Sequence, residues 1–117
     1  MLMANNTAID IGGSMYLYRT NVSFLTKHST IVSNEAKAGG AIFSRESQLT
    51  FASGSGKLMG NKADYGGAIY ARESKLIVKE NSRMNLSTNL VLHNGGGLYL
   101  IMSELNTKGC NLYFNEN

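Results

Sequence analysis

Gly39-Gly40-Ala41-Ile42-Phe43-Ser44-Arg45-Glu46-Ser47-Gln48-Leu49 is followed 27 residues later by Gly66-Gly67-Ala68-Ile69-Tyr70-Ala71-Arg72-Glu73-Ser74-Lys75-Leu76. Weaker copies begin at Gly12-Gly13-Ser14-Met15-Tyr16 and Gly95-Gly96-Gly97-Leu98-Tyr99, so the first two intervals are 27 residues and the third is 29. A self-similar period of this length marks a repeat architecture, in which one supersecondary unit stacks on the next.

Aligning the copies on the first glycine turns the chain into columns. An aliphatic column holds Met15, Ile42, Ile69 and Leu98, and an aromatic column beside it holds Tyr16, Phe43, Tyr70 and Tyr99. A hydroxyl column follows (Thr20, Ser47, Ser74, Ser103), then a second aliphatic one (Val22, Leu49, Leu76, Leu105). Each copy closes on an aliphatic-x-x-Asn group: Ile31 to Asn34, Leu58 to Asn61, Leu86 to Asn89 and Leu112 to Asn115. Ala36 and Ala63 stand two residues past the first two of these Asn residues.

Within a copy the apolar residues alternate over short runs, as in Ile69-x-Ala71, Leu76-x-Val78 and Leu49-x-Phe51. That is the period of half-buried strands, and no stretch of ten residues sustains a helical stripe. Three short strands with bends between them make one turn of a solenoid. The predicted fold is therefore all-β: a parallel β-helix of about four rungs, whose right-handed, pectin-lyase-like form is what a family resemblance of the same repeats implies. Its aliphatic columns face inward, and its diglycines mark bends where φ is positive or the backbone is crowded. The Asn column is placed to form a ladder of side-chain amides. The two added residues of the third interval are expected near Asn85 to His93, in a loop. A leucine-rich-repeat-type solenoid is the competing fold, because Leu-x-x-Asn belongs to that signature and Met84 to Val91 matches it locally.

Composition narrows the function. The chain of 117 residues is 43% hydrophobic and 16% charged, which argues against disorder. It has no Pro, as suits ladders that need every amide donor. Net charge is +3 with Lys and Arg scattered, so no nucleic-acid footprint is expected. Cys110 is the only cysteine, which precludes an internal disulfide; a small buried hydrophobe is its expected role. No apolar run reaches the ~20 residues of a membrane span, so no membrane insertion is expected from this segment. The pattern opens and closes mid-repeat, and residues 1–117 are expected to be one β-helix segment of a longer repeat protein.

The Gly-Gly-Ala-Ile groups at Gly39 and Gly66, each followed by aliphatic-x-x-Asn, resemble the GGA(I/L/V) and FxxN repeats of the polymorphic outer-membrane proteins. Those are autotransporter passengers associated with adhesion. Here Ile31, Leu58, Leu86 and Leu112 stand where that family has Phe. The resemblance implies a right-handed β-helix and an extracellular or cell-surface location, the outer membrane in a bacterium. It also implies an adhesin-like role toward a protein or glycan at a cell surface, with neighbouring rungs of the full-length chain as further partners.

Candidate sites are few. The column Tyr16, Phe43, Tyr70, Tyr99 lies next to inward aliphatics, so alternation turns its rings outward, where an aromatic strip can contact a sugar or a protein. The competing reading is that the rings only shield one another. Glu46 and Glu73 are equivalent in adjacent rungs, and stacking would set them near the ~5–5.5 Å separation of retaining glycosidases. A carbohydrate-active enzyme on this fold is thus the alternative function; Arg45 and Arg72 beside them favour a plain ladder of mixed charges. Asp10 and Asp64 are two rungs apart, and His28 and His93 lack partners at ligand spacing, so neither a metal site nor a cofactor is implied. His93 is expected to be a loop residue. Asn5, Asn21 and Asn85 open Asn-x-Ser/Thr sequons, relevant if the chain enters a eukaryotic secretory route.

Overall fold

A computed structural model describes residues 1–25, 27–52, 54–79 and 82–107, and the backbone of 111–115. Cys110 and the side chains of Leu112 and Asn115 lie outside the described residues. Strand β1 (Leu2–Ala4) precedes a first turn of β2 (Met15–Tyr18), β3 (Asn21–Phe24) and β4 (His28–Val32). The second turn is β5 (Ile42–Arg45), β6 (Gln48–Phe51), β7 (Ser55–Met59) and β8 (Lys62–Tyr65). The third is β9 (Ile69–Arg72), β10 (Lys75–Val78), β11 (Arg83–Ser87) and β12 (Leu90–Asn94). The last is β13 (Leu98–Ile101), β14 (Glu104–Asn106) and β15 (Asn111–Asn115).

Every pairing is parallel and joins equivalent strands of successive turns, giving the sheets β2-β5-β9-β13, β3-β6-β10-β14, β1-β4-β7-β11-β15 and β8-β12. The chain is a parallel β-helix of about four turns. No helix occurs among the described residues, so the leucine-rich alternative does not apply. A fourth short strand in the middle turns (β8, β12) was not expected from three strands per rung. It begins one residue past the ladder Asn, where isolated bridges already link Glu35 to Lys62 and Ala38 to Tyr65.

The expected columns are the observed registers. Met15, Ile42, Ile69 and Leu98 pair in sequence, as do Val22, Leu49, Leu76 and Leu105. Ile42, Ile69, Ile31, Leu58 and Leu86 are fully buried in one core, joined by a stacked inner pair, Phe24 and Phe51, with ring centroids 4.7 Å apart. Parallel stacking brings like onto like, so the core is a set of aliphatic rows running along the axis.

Two internal polar ladders accompany it. Asn34 Nδ2 donates to Asn61 Oδ1 and Asn61 Nδ2 to Asn89 Oδ1, each at 3.0 Å. The backbone N–H groups of Asn34 and Asn61 donate to the same oxygens, at 3.0 and 3.1 Å. Asn61 Nδ2 also reaches the Ile31 carbonyl at 3.0 Å, and Asn89 Nδ2 the Leu58 carbonyl at 2.9 Å. Asn6 starts the ladder, donating to Asn34 Oδ1. The hydroxyl column makes the second ladder: Ser47, Ser74 and Ser103 accept from the backbone N–H of Thr20, Ser47 and Ser74 at 3.1, 3.2 and 3.0 Å. Both rows satisfy backbone donors that a bend removes from the sheet.

The diglycine divides two demands between two residues. Gly39 turns the corner with φ of 65°, in the left-handed region. Gly40 lies so close to the next turn that a Cβ would collide with the carbonyls of Gly67 and Lys62. A second left-handed corner is carried by side-chain-bearing residues: Arg19, Glu46, Glu73 and Met102, with φ of 49°, 48°, 50° and 46°. The two added residues of the third turn are split rather than shared by one loop. Pair offsets are 78 − 51 = 27 at Val78, 83 − 55 = 28 at Arg83 and 94 − 65 = 29 at Asn94. One residue therefore enters the corner before β11, and the other is a bulge in β12 between Val91 and Asn94.

Candidate functional site

The functional candidates lie on the outer rows of this prism. In β5 and β9 the core takes Ile42, Ile69 and Ala71, which leaves Phe43 and Tyr70 outward, as alternation requires. Tyr16 and Phe43 stack at 5.5 Å with 26° between ring planes, Phe43 and Tyr70 at 4.9 Å with 8°, and Tyr70 and Tyr99 tilt at 5.3 Å and 50°. Both faces of Phe43 are thus covered by neighbouring rings, and it is only 8% exposed, against 50% for Tyr16. Such stacks contribute about 0.5–1.5 kcal/mol per pair beyond burial. A sugar approaching mid-row meets ring edges, whereas stacking on a sugar requires a free face.

The row widens toward its Tyr99 end. Tyr65 packs on His93 at 5.0 Å and on Tyr99 at 5.8 Å. His93 is a strand residue rather than a loop residue, and the β12 bulge sits at its position. A bulge re-aims the side chains around it, so the residue that breaks the repeat also adds a ring to the face. Tyr18 joins at the opposite margin, with the Arg19 guanidinium 4.9 Å from its ring centroid. None of Tyr18, Tyr65 and His93 was in the expected column; only the 29-residue beat pointed toward His93.

Glu46 and Glu73 do line a common feature, a shallow open groove of about 740 Å³ along the second corner, with Ser47, Ser74 and Lys75. Each is tied to a cation. Arg19 Nε donates to Glu46 Oε2 at 2.6 Å, Arg45 Nε lies 3.5 Å from Glu46 Oε1, and Arg72 Nε lies 3.3 Å from Glu73 Oε1. The hydrogen bond from Arg19 holds the Glu46 carboxyl below the usual carboxylate range, outweighing partial desolvation, which acts the other way. A glycosidase acid requires the opposite bias.

The lowered value fixes the sign of a pH effect. Support from the Arg19–Glu46 pair is fully present above the ordinary Glu value of about 4.3 and is lost as pH falls through the lowered folded value. In an NMR pH titration the Glu46 carboxyl is expected to titrate below an unpaired Glu, and Arg19→Gln should return it toward the ordinary value. An unchanged Glu46 titration in that variant would remove the pair from the account.

The sequon residues fall in different settings. Asn5 is exposed at a left-handed corner with φ of 57°, and Asn21 is exposed at the start of β3. Asn85 is half-buried in mid-β11, with buried Leu86 and Ser87 completing its sequon. Asp10 is paired with Lys37 at 3.1 Å. Among the described residues no three His, Cys, Asp or Glu side chains converge as a metal site would require. No protein-family model, curated protein or solved structure matches this chain.

Proposed function

We propose that this chain is a rigid β-helix spacer of an extracellular or cell-surface protein, making lateral contacts with a partner, as in an adhesin stalk. The observation that carries the reading is how the outer rows satisfy themselves. Phe43 is sandwiched between Tyr16 and Tyr70, and Glu46 and Glu73 are neutralised by Arg19, Arg45 and Arg72. Rows built this way stabilise and stiffen the stack. The resemblance of the Gly-Gly-Ala-Ile groups at Gly39 and Gly66 to autotransporter passenger repeats supports the surface location.

The test is retention without turnover. The chain is incubated with a panel of cell-surface polysaccharides, and each polymer is sized before and after. Reversible retention with unchanged polymer length is expected, and Glu46→Gln/Glu73→Gln should behave as the parent does. Shortening of a polymer by the parent but not by the double variant would replace the spacer with an enzyme.

A further inference from the structure

Charge is scattered along the sequence but sorted by the fold. Of the described acids, Asp10, Glu35, Glu46, Glu73 and Glu104 are each ion-paired, to Lys37, Lys62, Arg19 with Arg45, Arg72 and Lys75. The cations left without an acidic partner among the described residues are Lys27, Lys57, Lys79 and Arg83. All four belong to one lateral face, the outside of β4, β7 and β11, or to the corner leading into it. No described acid shares that face; Asp64, the one described acid without an ion pair, is on β8.

The face is also recessed. Its middle turn contributes only Gly54 and the small Ser55 at this height, between the turns carrying Lys27 and Arg83. Two adjoining hollows of about 400 and 330 Å³ result; Lys27 and His28 line one, Lys57 and Asn85 the other, and both share Ser55 and Arg83. His28 Nδ1 and Ser55 Oγ are 2.9 Å apart, which holds the imidazole over the notch. Gly54 is fixed by its setting, since φ is 73° and a Cβ would collide with the Lys27 backbone. The notch is therefore built into the turn.

We propose that this face binds a linear acidic polysaccharide, seating a sulfate or carboxylate group in the notch between Arg83, Lys57 and Lys27. This names a partner for the lateral contact and rests on the spacer reading. The Arg83 fork suits a planar or tetrahedral oxyanion, and the two lysines add point charge on either side. Asn85 lines the second hollow as a neutral polar residue, with its Oδ1 buried and without a hydrogen-bond partner among the described residues. Nucleic acid fits less well, because the stacked row of Phe and Tyr rings among the described residues lies on the β2-β5-β9-β13 sheet, and no described Phe or Tyr shares the basic face. A flat anionic bilayer cannot follow the recess as a chain-borne anionic group can.

The experiment uses the 117-residue chain with heparin, uncharged dextran, and phosphatidylcholine vesicles containing phosphatidylserine. Lys27→Gln/Lys57→Gln/Arg83→Gln is compared with Lys37→Gln/Lys62→Gln/Lys75→Gln, which removes the same charge from ion-paired positions. All three basic-face side chains are exposed, so the first variant should retain the parent's thermal transition. Binding to heparin but not dextran is expected. The basic-face variant should lose at least about tenfold in affinity, with a shallower salt dependence, while the paired-cation variant stays near the parent. No heparin binding, equal loss in both variants, or tighter binding to the vesicles than to heparin would overturn the proposal. Shortened heparin with binding intact would overturn the spacer reading and leave the basic face standing.

Discussion

Replacing Ile69 by Asp is expected to abolish the cooperative unfolding transition, leaving a chain without parallel-sheet circular dichroism. Ile69 is fully buried and sits mid-column, with Ile42 on the preceding turn and Leu98 on the next. A carboxylate there has no cation within the core rows, and burying an unpaired charge costs several kcal/mol or more even after its pKa adjusts. Domains of this size are stable by about 5–15 kcal/mol, and the damage falls on a row shared by four turns. Ile69→Val is the matched control and should cost only about 0.5–1.5 kcal/mol. A folded Ile69→Asp chain would mean that β9 presents its other face to the interior.

Asn61→Leu is expected to cost roughly 3–5 kcal/mol in urea unfolding, despite conserving volume and adding hydrophobicity. The side chain is fully buried and central to its ladder. Its loss strips the acceptor from the Asn34 backbone N–H and from Asn34 Nδ2, and the donor from Ile31 O and Asn89 Oδ1. Each buried group left unsatisfied costs about 1–3 kcal/mol, offset in part by the apolar gain. Position within the ladder supplies the control. Asn6 is exposed at the ladder's end, and Asn6→Leu should cost about 1 kcal/mol or less. Equal losses at the two sites would show that the row does not act as a connected ladder.

Much of this was legible because a parallel β-helix maps the sequence period directly onto register. Residues 27 apart become neighbours, so the Ile42–Ile69 and Phe43–Tyr70 columns needed only an alignment. Outward placement of the rings followed from alternation, and the reading in which neighbouring rings shield one another is the arrangement observed. The angles between ring planes did not follow, because they depend on rotamers that no column encodes. The Glu46 and Glu73 corners were hidden for another reason: left-handed backbone is signalled by Gly, Asn or Asp, whereas here ladder bonds at Ser47 and Ser74 close the corner around residues that carry no such signal. The divided insertion was missed because residues 79 to 94 contain no glycine to anchor an alignment. The basic face was invisible for a simpler reason. Lys27, Lys57 and Arg83 are no more clustered in sequence than the paired cations, and only the pairing of the others sets them apart.

The common 27-residue offset has a genetic meaning. Between the first two complete turns the aliphatic rows, the asparagine row and the hydroxyl row all advance by the same 27 positions. A tandem duplication of that length, begun at any residue of these turns, restores every one of these partnerships at its new junction. Deletion of one unit does the same. Unequal recombination can thus lengthen or shorten such a β-helix in whole turns without a new interface having to evolve. A turn of another length keeps its rows only where a corner or a bulge absorbs the difference, as the third turn does, so the beat is a filter on inheritance as well as a rule of packing.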